Sequence, residues 1–191
     1  MLNMNKSLLI SIIILMILIY LNYNLKYNNE FQLLQLSSNK ITQNILYEKS
    51  PIVVQDNISN IIDFIHVILT YEYIFKNKVD YKSSNYVNKN LALYSLIYNS
   101  NSKPINVYIS HPKNSKKFKS NKLESFNYII SDYKVNDVEN INDTQFVKIT
   151  LKPKKLLILP AYWLFYIDNN CQIYSLFGLY NILIALFKGL V

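Results

Sequence analysis

Hydrophobic positions change their rhythm along this chain. From Leu8 to Leu21 the run LLISIIILMILIYL is apolar on every side, broken only by Ser11, and no charge lies between Lys6 and Lys26. A helix over Ser7–Leu25 would reach about 28 Å, close to the hydrocarbon thickness of a bilayer, with Lys6 and Lys26 reaching outward at its ends. The run predicts an uncleaved N-terminal transmembrane anchor over residues 1–26. No small-x-small cleavage site follows it, and a small domain has too little protein to surround a helix that is apolar all round. Residues 27–44 are polar and asparagine-rich apart from FQLLQL at Phe31–Leu36, and predict a stalk with one or two helical turns.

A folded domain is expected over residues 45–191. Ile58, Ile61, Ile62, Ile65 and Leu69 recur at helical spacing and predict an amphipathic helix from Ser59 to Phe75, capped by Asp56, Asn57 or Ser59 and packed on a sheet. His66 lies beside the apolar stripe and reads as a half-buried structural histidine. Thereafter the period shortens. Strands are predicted at Ile52–Val54, Leu91–Tyr98, Ile105–Ser110, Phe126–Ile130, Phe146–Leu151, Leu156–Leu159, Trp163–Ile167 and Ile173–Tyr180, separated by Asn, Asp, Lys and Pro turns. Seven or more short strands with one amphipathic helix make a mainly β (α+β) domain, a sandwich or jelly roll rather than a parallel sheet. The terminal NILIALFKGLV reads as a short closing helix or strand extension, with a second membrane segment over Ile173–Phe187 as the alternative.

The stretch LKPKKLLILPAYWLF, Leu151–Phe165, resembles the closing hairpin of cupin-like, jumonji-type (JmjC) jelly rolls. Leu151, Pro153, Leu156, Leu157, Ile158, Pro160 and Trp163 match the family pattern, while Leu164 and Phe165 stand where a second tryptophan and an iron-binding histidine would be. INVYISHPKNSKKF is a weaker match and puts His111 before a loop proline, which is not a metal position. The family's H-x-D/E would fall on or just before Leu91–Tyr98, at Leu93, Tyr94 and Ser95. The resemblance therefore implies a metal-less jelly roll without a cofactor. In its membrane-anchored form the chain is similar to uncharacterised proteins of large DNA viruses with AT-rich genomes.

Composition narrows the chemistry. The chain has 191 residues, 20 basic against 12 acidic, for a net charge of +8, and every basic residue is lysine, without the bidentate forks that arginine offers a phosphate. The lone Cys171 allows no intramolecular disulfide and reads as an inert core residue. Two histidines, His66 and His111, and two glycines leave no histidine triad and no phosphate-cradling loop. What remains is the cluster Lys113, Lys116, Lys117, Lys119 and Lys122, read as a solvated hairpin loop or as a patch for anionic lipid. Nucleic acid is not expected there, because Phe118 is the only interleaved aromatic. Tyr162, Trp163 and Phe165 are candidate core or pocket aromatics. The expectation is a non-enzymatic scaffold or interaction module held on a membrane by its N-terminal helix, with a protein partner. The alternatives are a small-molecule or oxygenase-type enzyme with an unconventional site, and a lysine-loop module binding anionic lipid or nucleic acid.

Overall fold

A computed structural model describes residues 10–12, 14, 15, 17, 18, 30–69, 73, 75–118, 120–124, 128–134, 145–179, 181 and 182. Its strands are β1 (Leu34–Leu36), β2 (Ile52–Val54), β3 (Phe75–Tyr81), β4 (Tyr86–Asn90), β5 (Tyr94–Tyr98), β6 (Ile105–Ser110), β7 (Ser120–Glu124), β8 (Tyr128–Lys134), β9 (Val147–Leu151), β10 (Leu156–Pro160), β11 (Leu164–Ile167) and β12 (Cys171–Phe177). They form two six-stranded sheets, ordered β1-β2-β10-β5-β12-β3 and β7-β8-β4-β11-β6-β9. Without β1, β2, β7 and β8, the remaining strands run first–eighth–third–sixth in one sheet and second–seventh–fourth–fifth in the other. All of those pairs are antiparallel. That order is jelly-roll-like, with β1 and β2 widening the first sheet and the β7–β8 pair widening the second.

The burial of β10 explains why LLILP is apolar at every position. Leu157 and Leu159 turn inward with Ile97, Val107, Ile109, Phe165 and Ile173, filling the space between the sheets. Leu156 and Ile158 turn outward and meet Ile58, Ile61, Phe64 and Ile65 on and beside the helix Ile61–Leu69. The first sheet is thus sandwiched between the helix layer and the second sheet, so an alternating strand pattern gives way to a continuous one.

Several elements depart from expectation. The helix starts and stops inside the predicted bounds, at Ile61–Leu69, and Phe75 already belongs to β3. Its cap is Asn60, whose Oδ1 accepts from Ile62 N at 3.0 Å and Asp63 N at 3.5 Å. Asp56 instead accepts from Ser38 N and Ser38 Oγ, at 2.5 and 2.6 Å. His66 is exposed rather than half-buried, because the buried stripe runs through Ile61, Phe64 and Ile65. The helical turns expected of residues 27–44 fall at Ser38–Lys40 and from Gln43 in the short helix Gln43–Tyr47, while within FQLLQL Leu34–Leu36 forms a strand paired in parallel with Ile52–Val54. Strands β3, β4 and β7 lie where no strand is predicted. Finally, β9 and β10 lie in opposite sheets, as do β10 and β11, so Leu151–Phe165 makes two crossings between sheets rather than a hairpin.

Of the predicted anchor, residues 10–12, 14, 15, 17 and 18 are helical and exposed; the rest of residues 1–29 lies outside the described residues. Among the described residues no helix is long and apolar enough to cross a membrane. The alternative of a second membrane segment fails over Ile173–Leu176, which is paired on both sides within strand β12. Residues 183–191, and with them most of the predicted closing segment, lie outside the description.

Candidate functional site

The turn Pro160–Trp163 carries the chain from β10 to β11 and places the candidate aromatics. Tyr162 takes a φ of 69°, a left-handed conformation that costs a non-glycine residue energy. Asn90 offsets that cost by clamping the turn. Tyr162 N donates to Asn90 O at 2.8 Å, and Asn90 N donates to Trp163 O at 3.0 Å. The Asn90 side-chain amide donates to Leu159 O and Pro160 O, while its Oδ1 accepts from Ala92 N and Ser95 Oγ. Every hydrogen-bonding group of this fully buried side chain is engaged.

Trp163 is 1% exposed, and its Nε1 donates to Lys49 O at 3.3 Å. Its ring meets Phe31 and His111 edge-on, at centroid distances of 5.4 and 5.3 Å. It shares its cluster with Val107, whereas Leu93 faces the helix layer on the other side of the first sheet. His111 is buried, and its Nδ1 accepts from Lys113 N at 3.2 Å, capping the 3-10 helix Pro112–Lys117. That helix corrects the expectation of a solvated hairpin loop. It carries Lys113, Lys116 and Lys117, all exposed, and is pinned by Phe118, which packs with Val87 and Leu164. Lys122 sits on β7, and Lys119 lies outside the described residues, so the predicted cluster of five is brought together only as a group of three.

Between the sheets, Phe165 stands opposite Asn88 of the neighbouring strand β4. Tyr81 and Tyr128 close around the Phe165 ring at 6.3 and 5.9 Å. Asn88 Nδ2 donates to Tyr81 Oη at 3.0 Å and Tyr86 O at 3.1 Å, whereas its buried Oδ1 has no partner among the described residues. Burial pushes the Tyr81 phenol up to about 12, so at neutral pH it is a hydrogen-bonding group and not a base. Tyr81 also lines a crevice of about 360 Å³ with Asp80, Ser84, Tyr128 and Ile130. Among the described residues no three His, Cys, Asp or Glu side chains converge on one point. Cys171 is buried, and burial alone pushes its thiol up to about 12.

Sequence reasoning missed Asn88, Asn90 and Tyr81. Their strands, FKNKVDY and YVNKN, carry too few apolar residues to register as strands, and the usable signal was the period of two at Phe75, Val79 and Tyr81, alternating with Lys76, Lys78 and Asp80. The fold and site define a mainly β, two-sheet, jelly-roll-like domain with a packed interior. No protein-family model and no curated protein matches the chain.

Proposed function

We propose that the chain is a non-enzymatic, membrane-anchored, cupin-like jelly-roll domain that serves as a scaffold or interaction module, in the viral or host membrane setting that the resemblance implies. The observation that carries this reading is Phe165. It points between the sheets at the position where the resembled family holds its distal histidine, and the side chain beside it on β4 is the amide Asn88 rather than a carboxylate or histidine. A phenyl ring packed against Tyr81 and Tyr128 offers no lone pair to a metal. The test is a set of thermal melts of the full chain with chelator, and with ferrous iron plus 2-oxoglutarate under anaerobic conditions. Superimposable melts are expected. A large loss with chelator, or a gain with iron and 2-oxoglutarate, would overturn the non-enzymatic reading.

One observation favours a second reading, a small-molecule site. The orphaned Asn88 Oδ1 lies next to Tyr81, which opens onto the crevice, and a buried acceptor without a donor costs about 1–3 kcal/mol. A neutral ligand presenting one N–H or O–H would satisfy it. Saturable binding lost in Asn88→Leu, with the fold retained, would support that reading.

A further inference from the structure

We infer that the 3-10 helix Pro112–Lys117 is a membrane foot, with Lys113, Lys116 and Lys117 docking on anionic lipid headgroups of the bilayer that holds the anchor. This rests on the anchor reading and adds to it a surface, an orientation and a ligand.

Phe31 sits edge-on against Trp163, and Trp163 sits edge-on against His111, the residue that caps the lysine-bearing helix. The helix is therefore two ring contacts away from Phe31, where the N-terminal segment packs onto the domain. Only residues 26–30 separate Phe31 from the predicted end of the membrane span at Leu25, and a chain of that length covers at most about 20 Å when fully extended. The tether thus holds this end of the domain next to the bilayer, and gives the lysines a high effective concentration at its surface.

Charge selects the ligand. The helix PKNSKK carries three exposed lysines and no acidic residue, and Phe118, next in the chain, packs onto the second sheet with Val87 and Leu164. Lysine suits a diffuse lipid surface, where point charges matter more than a bidentate fork. The opposite end provides internal controls. Lys103 and Lys152 are also exposed, but they flank the Ile105–Leu151 end of the β6–β9 pair, about 17–20 Å along β6 from His111.

The experiment uses the full chain reconstituted in vesicles of phosphatidylcholine alone or mixed with phosphatidylserine, with amine acylation measured lysine by lysine. On the anionic vesicles at low salt, Lys113, Lys116 and Lys117 should react roughly tenfold more slowly, each lysine near the surface being worth about a fivefold preference. Lys103 and Lys152 should be unchanged. High salt should abolish the protection. Anionic vesicles should also raise the melt of the parent but not of Lys113→Ser/Lys116→Ser/Lys117→Ser, whose near-ultraviolet tryptophan signal should match the parent's. Equal acylation on both vesicles, with the protein still resisting carbonate extraction, would overturn the foot and leave the anchor standing. Release by carbonate would overturn both. Protection by a single-stranded oligonucleotide on neutral vesicles would reassign the lysines to nucleic acid and overturn the lipid assignment.

Discussion

Trp163 illustrates how one residue can look like a ligand-binding aromatic and act as a structural one. Its ring is enclosed by Phe31 and His111, and its only polar atom is spent on Lys49 O. Trp163→Ala should cost about 3–5 kcal/mol in denaturant unfolding, a large share of a total of about 5–15 kcal/mol. Lys116→Ser and Lys117→Ser in detergent solution should leave the melt within about 0.5 kcal/mol of the parent, because exposed charges contribute little. A parent-like melt for Trp163→Ala would show that the ring is not part of the core. Buried acids set the alkaline limit. The Tyr81 phenol and Cys171 thiol, with ordinary values of 10.0 and 9.0, are both pushed up to about 12 by burial. The unfolded chain releases these protons first, so their contribution is full below about pH 9 and is lost as pH rises toward 12, on the order of 3 kcal/mol per group. Melts from pH 7 to 12 should show that decline, and Cys171→Ala should make it shallower. An unchanged slope would mean that the thiol does not stay protonated in the fold.

At the scale of elements, the helix Ile61–Leu69 is short, so its end effects weigh heavily. Asn60 caps two backbone N–H groups and its amide also donates to Asp63 Oδ2 at 2.7 Å. Asn60→Ala should cost about 0.5–2 kcal/mol, whereas Asn57→Ala and Ser59→Ala, at positions that sequence alone favoured as caps, should be near neutral by the same denaturant measurement. Large losses at Asn57 or Ser59 with none at Asn60 would refute the assignment. The choice among four neighbouring cap-formers was illegible because each has the right side chain, and the direction in which the chain arrives from β2 decides which is used. The strand inside FQLLQL was illegible for a related reason: three residues are too few to show a period. Strand β3 escaped notice because it ends its sheet among the described strands, and edge strands favour lysines, here Lys76 and Lys78.

The whole molecule joins an apolar N-terminal run to a jelly-roll-like domain in whose first sheet the central strands β10, β5 and β12 are buried on both faces. If the anchor spans a bilayer, the full chain should remain in the membrane pellet after alkaline carbonate extraction, and its mature N-terminus should lie before Leu25. Recovery in the supernatant would remove the membrane from the proposal. An N-terminus beyond Leu25 would indicate a cleaved signal peptide instead.

Local pattern was enough for the elements whose burial is either continuous or regularly periodic. Leu156–Pro160, Ile105–Ser110 and the apolar stripe of Ile61, Phe64 and Ile65 announce themselves within a few residues, because hydrophobic burial is written into each side chain regardless of what it meets. The partners could not be read that way. Asn88 faces Phe165 only because β4 and β11 become neighbours, and Phe31, Trp163 and His111 meet only because the N-terminal segment returns to the turn after β10. A polar strand such as YVNKN is stabilised by hydrogen bonds to strands far away in sequence, so nothing inside its own window marks it as buried. The composition of each segment thus set its affinity for water, while the order of strands within the sheets set which buried groups touch, since that order is a property of the entire chain closing on itself.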